Sequence, residues 1–535
     1  MSTTASITAV TLVGLATLVV GVLGLRFSRT TSDFYVASRT VGPAWNASAI
    51  GGEYLSAGSF LGVAGLILVS GADMLWYPVG WTAGYLILLV LVAAPLRRSG
   101  AYTLPDFAEV RLQSASVRRL SSVLVVVIGW LYLLPQFQGA GIALGAAAGA
   151  PTWLGGVVVA GIVLVSVLSG GMRSITFVQA FQYWLKLTAL LVPLVFLLLH
   201  WQADGAPSPS EAPVGGGAVP GDSWVLPLAS GIEHPLYATY SLILATFLGT
   251  MGLPHVLVRF YTNPDGRAAR RTTLIVLVLL GVFYLLPAVY GALGRVYAAD
   301  LIGSGKGDTV VLELPTRMVG GTLGELLAAL LVAGAFAAFL STSSGLTVSV
   351  SGVLSQDALI RWVGGVAGFR IAAVLAVSVP LALNLVAQDL AIANVVGMAF
   401  AVAASTFCPL LVLGIWWRRL TDAGAIAGLV VGLLLTGGSV VLTISGQVAG
   451  GWAGTLLTQP AAWTVPISFA LMVGVSLATP HRVASDVART MVRLHTPEQI
   501  EVDRGDWQPR ATRLVPRRRS AVDRSSRHTD RSPQP

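Results

Sequence analysis

Ile50-Gly51-Gly52-Glu53-Tyr54-Leu55-Ser56-Ala57-Gly58-Ser59 sets three glycines, an acid and two serines near the middle of an otherwise apolar stretch, residues 44–69. Adjacent glycines weaken a helix, and hydrocarbon offers freed backbone groups no water. Unwound backbone at that depth survives only where it lines a cavity or a site, and Glu53 is costly there without a role. Small residues also let helices pack closely, which is the reading given to Gly62 and Gly65. For 51–59 a break that forms a binding site is expected.

A second interruption lies in 236–260, at Leu248-Gly249-Thr250-Met251-Gly252-Leu253-Pro254-His255. Pro254 removes a backbone donor and disrupts the preceding turn. Paired interrupted helices at corresponding places in two halves point to an inverted-repeat secondary transporter, whose half-helix ends hold an anion and whose free carbonyls hold a cation. A third feature is the run Ser341-Thr342-Ser343-Ser344 inside an apolar span. These hydroxyls either bond back to carbonyls one turn earlier or supply neutral oxygens to a hard cation.

Around these breaks the chain alternates long apolar stretches with short loops. About 20 apolar residues cross the roughly 30 Å of a bilayer core. Thirteen such spans are read at about 7–27, 44–69, 74–95, 121–148, 152–169, 176–200, 236–260, 273–294, 322–352, 366–387, 390–416, 424–444 and 464–480. Composition agrees: 55% of the 535 residues are hydrophobic and 11% charged, against about 25% charged in soluble domains. The net charge of +9 does not indicate nucleic acid, because twelve arginines follow residue 481 and most others sit beside spans.

Those loop charges set an expected topology. Arg26, Arg29, Arg39, Arg97, Arg98, Arg111, Arg118, Arg119, Arg173, Arg267, Arg270, Arg271, Arg361, Arg370, Arg418 and Arg419 fall on one side, with the tail. The other side carries Arg295, Lys306 and Arg317, and its 201–235 loop has four acids and no Lys or Arg. By the positive-inside rule the C-terminus is cytoplasmic and the N-terminus outside, in a plasma (inner) membrane. MSTTASITAV lacks a basic n-region, so the first apolar run is read as a retained span. The Gly-, Pro- and Ser-rich segment 202–231 is expected to be an exposed external loop, and the tail mostly disordered and drawn to anionic lipid.

Single residues narrow the chemistry. Cys408 stands alone and the six histidines show no metal-ligand spacing, so a disulfide framework and a metal centre are not expected. No P-loop is present to hold ATP, and no catalytic constellation is visible in the spans. Arg259 is read as a gate or interface residue, Gln136 and Gln138 as cavity-lining or cross-helix groups, and Trp416 and Trp417 as interface anchors.

With these pieces in order, the chain from Asp33 to Arg419 resembles the sodium:solute symporter family. The carrying residues are Asp33-Phe34-Tyr35-Val36-Ala37-Ser38-Arg39, the break from Gly51 to Ser59, Leu104-Pro105-Asp106-Phe107, Gly170-Gly171-Met172-Arg173 leading into Gln179, the run from Gly252 to Phe260, and Ser341-Thr342 with Gln356-Asp357. The Gly-Leu-Pro-His run and the Gly-Gly-Met-Arg segment look most like the cation/acetate (monocarboxylate) permease branch. The resemblance implies an all-α polytopic membrane protein of the leucine-transporter type, with two inverted five-helix repeats and about 13 transmembrane helices. Residues 1–43 would hold the first helix and its loop, 44–200 the first repeat, 201–235 an external loop, 236–419 the second repeat, 420–481 two accessory helices, and 482–535 the basic tail.

It also implies a sodium site made by the carbonyls of Gly52, Leu55 and Ala338 with the hydroxyls of Ser341 and Thr342. Members with a second sodium place an Asp where this chain has Gln179, which puts a second sodium in doubt. Lys186, seven residues further on the same helical face, lies roughly 15 Å from the helix end, close to the midplane. It would either pair with a substrate carboxylate or stand in for a cation and release its proton during transport, since burial disfavours the charged ammonium. Substrate or coupling candidates are Tyr54, Ser56, Ser59, Gln179, Lys186, Gly249, Thr250 and His255.

The expected function is a symporter, not an enzyme, importing a short-chain monocarboxylate such as acetate, propionate, pyruvate or lactate with Na⁺. The alternatives are H⁺ coupling through Lys186, another small solute, or a transporter-like sensor. No organic cofactor and no nucleic-acid partner are expected; lipid and a small carboxylate are, and the sequence leaves the oligomeric state open.

Overall fold

The computed structural model describes residues 2–24, 40–212, 219–229, 231–385, 392–448 and 450–500, apart from the side chains of 22–24, 170 and 171. The 33–39 motif, the loop arginines 26 and 29, and the tail beyond 500 lie outside the described residues. Helix α1 (Thr3–Gly24) comes first. Residues 44–200 contain α2 (Pro43–Tyr54), a π turn (Gly58–Gly62) running into α3 (Val63–Ser70), α4 (Trp76–Ile87) continued by a π turn (Leu88–Val92) into α5 (Ala93–Arg98), α6 (Leu104–Leu112), α7 (Ala115–Ala148) and α8 (Thr152–Ala203). After the short α9 (Gly221–Val225) come α10 (Pro235–Gly252), α11 (Pro254–Phe260), α12 (Gly266–Tyr297), α13 (Val310–Met318), α14 (Gly321–Val353), α15 (Gly365–Asn384) and α16 (Ile392–Trp416). The chain continues through α17 (Asp422–Ile444), α18 (Gly451–Thr458), α19 (Ala461–Ala478) and α20 (Val487–His495).

Eleven described helices are long and apolar enough to cross a membrane, or twelve when α10 and α11, bent by 45°, count as one span. The thirteen expected spans divide differently here. Residues 44–69 split into the twelve-residue α2 and a second half that runs into the next span. The spans 152–169 and 176–200 both fall in α8, a 52-residue run of helix that still counts as two spans, with Ser166 and Ser174 both lying against Gly21 of α1.

α2 is clasped by α8, α12 and α14, while α14 also lies along α7 and α8, and α10 along α4 and α16. α1 packs outside this core on α8 and α14. It is fastened there by Gln182 Nε2 donating to Thr17 Oγ1 (2.9 Å) and Ser174 Oγ donating to the Gly21 carbonyl (2.8 Å).

Two expectations about loops change. Within 202–231 the described residues 219–229 are anchored, because Trp224 is buried and its indole donates to the Ile67 carbonyl at 2.8 Å. An indole with an apolar body and one donor makes such an anchor. The tail begins folded: α20 has an apolar face with Met491 and Leu494 buried, and it packs on α5 and α6.

The basic loops gather at the end of the bundle that carries α20. Arg97 donates to the Asn263 and Pro264 carbonyls (2.5 Å each), and Arg111 to those of Gly414, Trp417 and Arg418 at 2.7–3.2 Å. Arg118 meets Asp106 (2.6 Å), Glu109 (2.7 Å) and Asp357 (2.6 Å). These arginines satisfy helix-terminal carbonyls and buried acids in addition to marking sidedness.

Candidate functional site at the helix breaks

The glycines in the first break do a different job from the one expected. α2 runs through Gly51 and Gly52 and ends at Tyr54, and the interruption falls at Leu55 and Ser56. A Cβ on Gly52 would strike the Gln179 carbonyl, and one on Gly51 would lie 2.8 Å from the Tyr183 ring. The pair therefore lets α2 lie directly on α8. The Leu55 N–H still closes the last turn on the Gly51 carbonyl at 3.1 Å, but Leu55 is extended (ψ 90°), so the carbonyls that follow, from Gly52 on, lie beyond the helical ladder. Beyond the gap, Gln136 Oε1 accepts the Ala57 N–H at 2.9 Å, serving the start of the second half-helix.

Three side chains take the freed carbonyls. Ser341 Oγ donates to the Gly52 carbonyl at 2.6 Å and lies 3.0 Å from that of Ala338. Thr342 Oγ1 donates to the Glu53 carbonyl at 2.6 Å. Lys186 Nζ donates to the carbonyls of Gly52 and Leu55, the latter at 2.7 Å, with its side chain fully buried. Gly52, Leu55, Ala338, Ser341, Thr342 and Lys186 are thus brought to one place. The Lys186 amine, an ammonium with three donors when protonated, is held by two carbonyl oxygens of the kind that also bind a hard cation.

Next to it lies a buried ion pair. Arg259 Nε donates to Glu53 Oε2 at 2.6 Å, Nη1 to Thr176 Oγ1 at 2.7 Å and Nη2 to Gln179 Oε1. Gln179 Nε2 in turn donates to the Ser341 carbonyl at 2.7 Å, and Asn46 Nδ2 to the Arg259 carbonyl at 3.1 Å. Four helices, α2, α8, α11 and α14, are tied through one guanidinium. Gln179 is a link in this network.

At the second break the chain turns at Leu253 between α10 and α11. Gly249 and Gly252 face the Phe400 and Ala403 carbonyls with no room for a Cβ, so Gly249 serves contact with α16. Thr250 Oγ1 shares a hydrogen bond with Tyr54 Oη (2.8 Å), which joins the two breaks directly. Ser59 Oγ meets Tyr284 Oη at 2.8 Å, and Ser56 Oγ is 3.5 Å from Tyr132 Oη. His255 stands 5.1 Å from the Tyr132 ring, buried.

Rings fill the space between the breaks. The sequence reading passed over Trp81, Tyr85, Tyr132 and Phe400; its one signal was the i, i+4 spacing of Trp81 and Tyr85. Trp81 contacts Tyr77 at 5.4 Å between centroids, and Tyr77 lines a cleft of about 560 Å³ with Asp73, Glu233, Asn394 and Gln459. The cleft opens on the side opposite α20, where Glu233 Oε2 accepts the Gly451 N–H at 2.6 Å.

Residues 34–432 match the model of the sodium:solute symporter family. The chain belongs to that family. As such a symporter it is a multi-span secondary transporter, not an enzyme. It is 30% identical over 526 residues to an uncharacterised symporter, YwcA, of Bacillus subtilis, covering 94% of this chain and all of that one. A monocarboxylic acid transporter of Corynebacterium glutamicum is 31% identical over 519 residues, 89% of this chain and 92% of the relative. Among solved structures, a Na⁺-coupled sialic acid symporter superposes with a TM-score of 0.65 at 14% identity, covering 89% of this chain and 97% of that one. Mhp1, a nucleobase-cation-symport-1 transporter, gives 0.52 at 14% identity over 87% and 99%. The symporter therefore has the leucine-transporter-type fold that the family resemblance implies.

Proposed function

We propose that this symporter imports a short-chain monocarboxylate by alternating access, and that the coupled cation is a proton carried on Lys186. The observation that supports the coupling is the Lys186 amine on the Gly52 and Leu55 carbonyls. An ammonium and a sodium ion cannot share those oxygens, since like charges that close repel strongly in a medium of low dielectric. The substrate class is supported by the Corynebacterium relative and by neutral, ring-lined surroundings between the breaks.

In this reading the protonated amine ties α8 to the end of α2, and the bond is charge-assisted. Loss of the proton on the far side leaves Lys186 a neutral amine, weakens that tie and lets α2 shift with α11. The Glu53–Arg259 pair closes the α20 side meanwhile. One ammonium proton entering with one carboxylate makes the step electroneutral. The orientation proposed is α20 in the cytoplasm and the N-terminus outside, in the plasma membrane, from the one-sided arginines.

Sodium coupling is the second reading, favoured by the Ser341 hydroxyl beside the Gly52 and Ala338 carbonyls. It requires the Lys186 amine to leave or be neutral. Purified protein in liposomes, given labelled acetate or pyruvate under separate pH and Na⁺ gradients, separates the two. The proposal expects uptake driven by an inward pH gradient in Na⁺-free buffer. Uptake that needs Na⁺ would overturn the coupling, and failure of every short monocarboxylate to accumulate or compete would overturn the substrate class.

A further inference from the structure

From Arg482 to Glu498 the chain crosses one end of the bundle and fastens to five helix ends in turn. Arg482 donates from Nε to Asp422 Oδ1 (2.8 Å) and from Nη2 to Asp422 Oδ2 (2.7 Å), at the start of α17. Ser485 Oγ donates to Gln113 Oε1 at 3.3 Å, just past α6. α20 then packs on α5, where Arg493 Nε donates to the Arg98 carbonyl at 3.1 Å. His495 meets the ring of Trp416, the last residue of α16, at 4.8 Å. Finally Glu498 Oε1 accepts the N–H of Gly266, the first residue of α12, at 2.8 Å.

These ends belong to two groups. Gly266 lies six residues past the end of α11, and the link between them is gripped by the broken helices. Thr262 Oγ1 donates to Asn46 Oδ1 at 3.2 Å, while Asn46 Nδ2 donates to the Arg259 carbonyl at 3.1 Å. Arg97 of α5 holds the Asn263 and Pro264 carbonyls of the same link. Whatever moves α2 and α11 therefore moves Gly266. Asp422 stands on α17, which follows both breaks in the chain and packs on α16 and α19. With Glu53 and Arg259 buried against each other, the end of the bundle that carries α20 is shut.

We infer that residues 482–498 are an autoinhibitory strap: they tie Gly266, which travels with the broken helices, to Asp422, which does not, and hold the α20 side of the symporter shut. The inference rests on the alternating-access reading above, and is independent of the substrate and of the coupled ion. A contact biases a conformational equilibrium only if one state has it and the other lacks it. α20 is seated by the buried Met491, Leu494 and Thr490, so the link that gives way on opening is the one from Glu498 to Gly266. Losing a carboxylate cap at a helix start shifts an equilibrium about two- to thirtyfold.

The test uses full-length protein in lipid nanodiscs, with spin labels on Arg267→Cys at the start of α12 and on Arg419→Cys ahead of α17, both exposed positions. Cys408 is buried and stays unlabelled. The distance between the labels is read by electron double resonance, and pyruvate uptake is followed in liposomes. Wild type should show one short distance, and pyruvate should add a longer one. Glu498→Ala should raise the ratio of long to short about two- to thirtyfold and speed uptake. Glu498→Gln keeps an acceptor for the Gly266 N–H and should stay near wild type. Leu494→Asp, which undocks α20, should shift the ratio at least as far as Glu498→Ala. If wild type shows both distances and neither Glu498→Ala nor Leu494→Asp changes their ratio, the segment is only structural and the strap is overturned. Longer distances with slower uptake would overturn its inhibitory role. A single distance in wild type, with and without pyruvate, would instead overturn alternating access itself.

Discussion

Arg259 and Glu53 meet at 2.6 Å with their side chains 1% and 2% exposed, although neither would be stable alone at that depth. Removing one partner of a buried pair leaves an uncompensated charge and costs about 3–5 kcal/mol, whereas replacing both by apolar groups of similar volume is often neutral. Arg259→Ala should therefore lower the thermal unfolding midpoint strongly. The double variant Glu53→Leu/Arg259→Met should recover most of it while transport stays impaired, since the closing link between α2 and α11 is gone. A double variant as unstable as Arg259→Ala would contradict the pairing.

Gly52→Ala brings a Cβ against the backbone oxygen of Gln179, which no rotamer change can move aside. α2 must then part from α8, at a cost of about 1–3 kcal/mol for overpacking, and the Lys186 tie is pulled apart with it. Uptake should be abolished. Gly281→Ala, which has open space around its new methyl, should be neutral or stabilising by up to about 1 kcal/mol. Uptake and melting measured on both variants check this; equal behaviour would refute it.

Ser341 and Lys186 share the Gly52 carbonyl. Ser341→Ala leaves that oxygen a partner, so it should cost only about 1 kcal/mol and leave the pH-gradient dependence of uptake in place. Thr342→Val leaves the Glu53 carbonyl without the hydroxyl that serves it, and should cost more. Melting curves with uptake under a pH gradient give the comparison, and loss of pH dependence in Ser341→Ala would favour the sodium reading.

The C-terminal segment makes a further measurable contact. Glu498 Oε1 accepts the Gly266 N–H at 2.8 Å, at the start of α12, and Oε2 faces Arg98 at 3.4 Å. Helix caps of this kind are worth about 0.5–2 kcal/mol. Glu498→Ala should lower stability by about that much, and Leu494→Asp, at a fully buried position, should detach α20 and expose it to protease. Unchanged proteolysis of Leu494→Asp would contradict the docking.

Much of this was legible in the sequence, for identifiable reasons. The breaks announced themselves because glycine, proline and acid are rare in spans, and the arginine asymmetry was visible in loops. What Gly51 and Gly52 do was misread, because a packing glycine and an unwinding glycine look alike without the neighbouring helix. The ring cluster was missed because Trp81, Tyr132 and Phe400 are apolar enough to pass as core, and only the unmet polar atoms of Trp81, Tyr85 and His255 separate the cluster from it. Lys186 stood out as a basic residue inside an apolar span, but its partners are carbonyls 131 and 134 residues away, a distance no local pattern encodes.

The most direct test of Lys186 as the proton carrier is the proton movement that accompanies substrate. Pyruvate is the suitable probe, because as a stronger acid it crosses bare lipid less readily than acetate. In Na⁺-free liposomes containing a pH dye, wild-type protein should acidify the lumen as pyruvate enters, about one proton per anion, and Lys186→Met should abolish that acidification. Pyruvate uptake that requires Na⁺, moves no protons and persists in Lys186→Met would contradict the account.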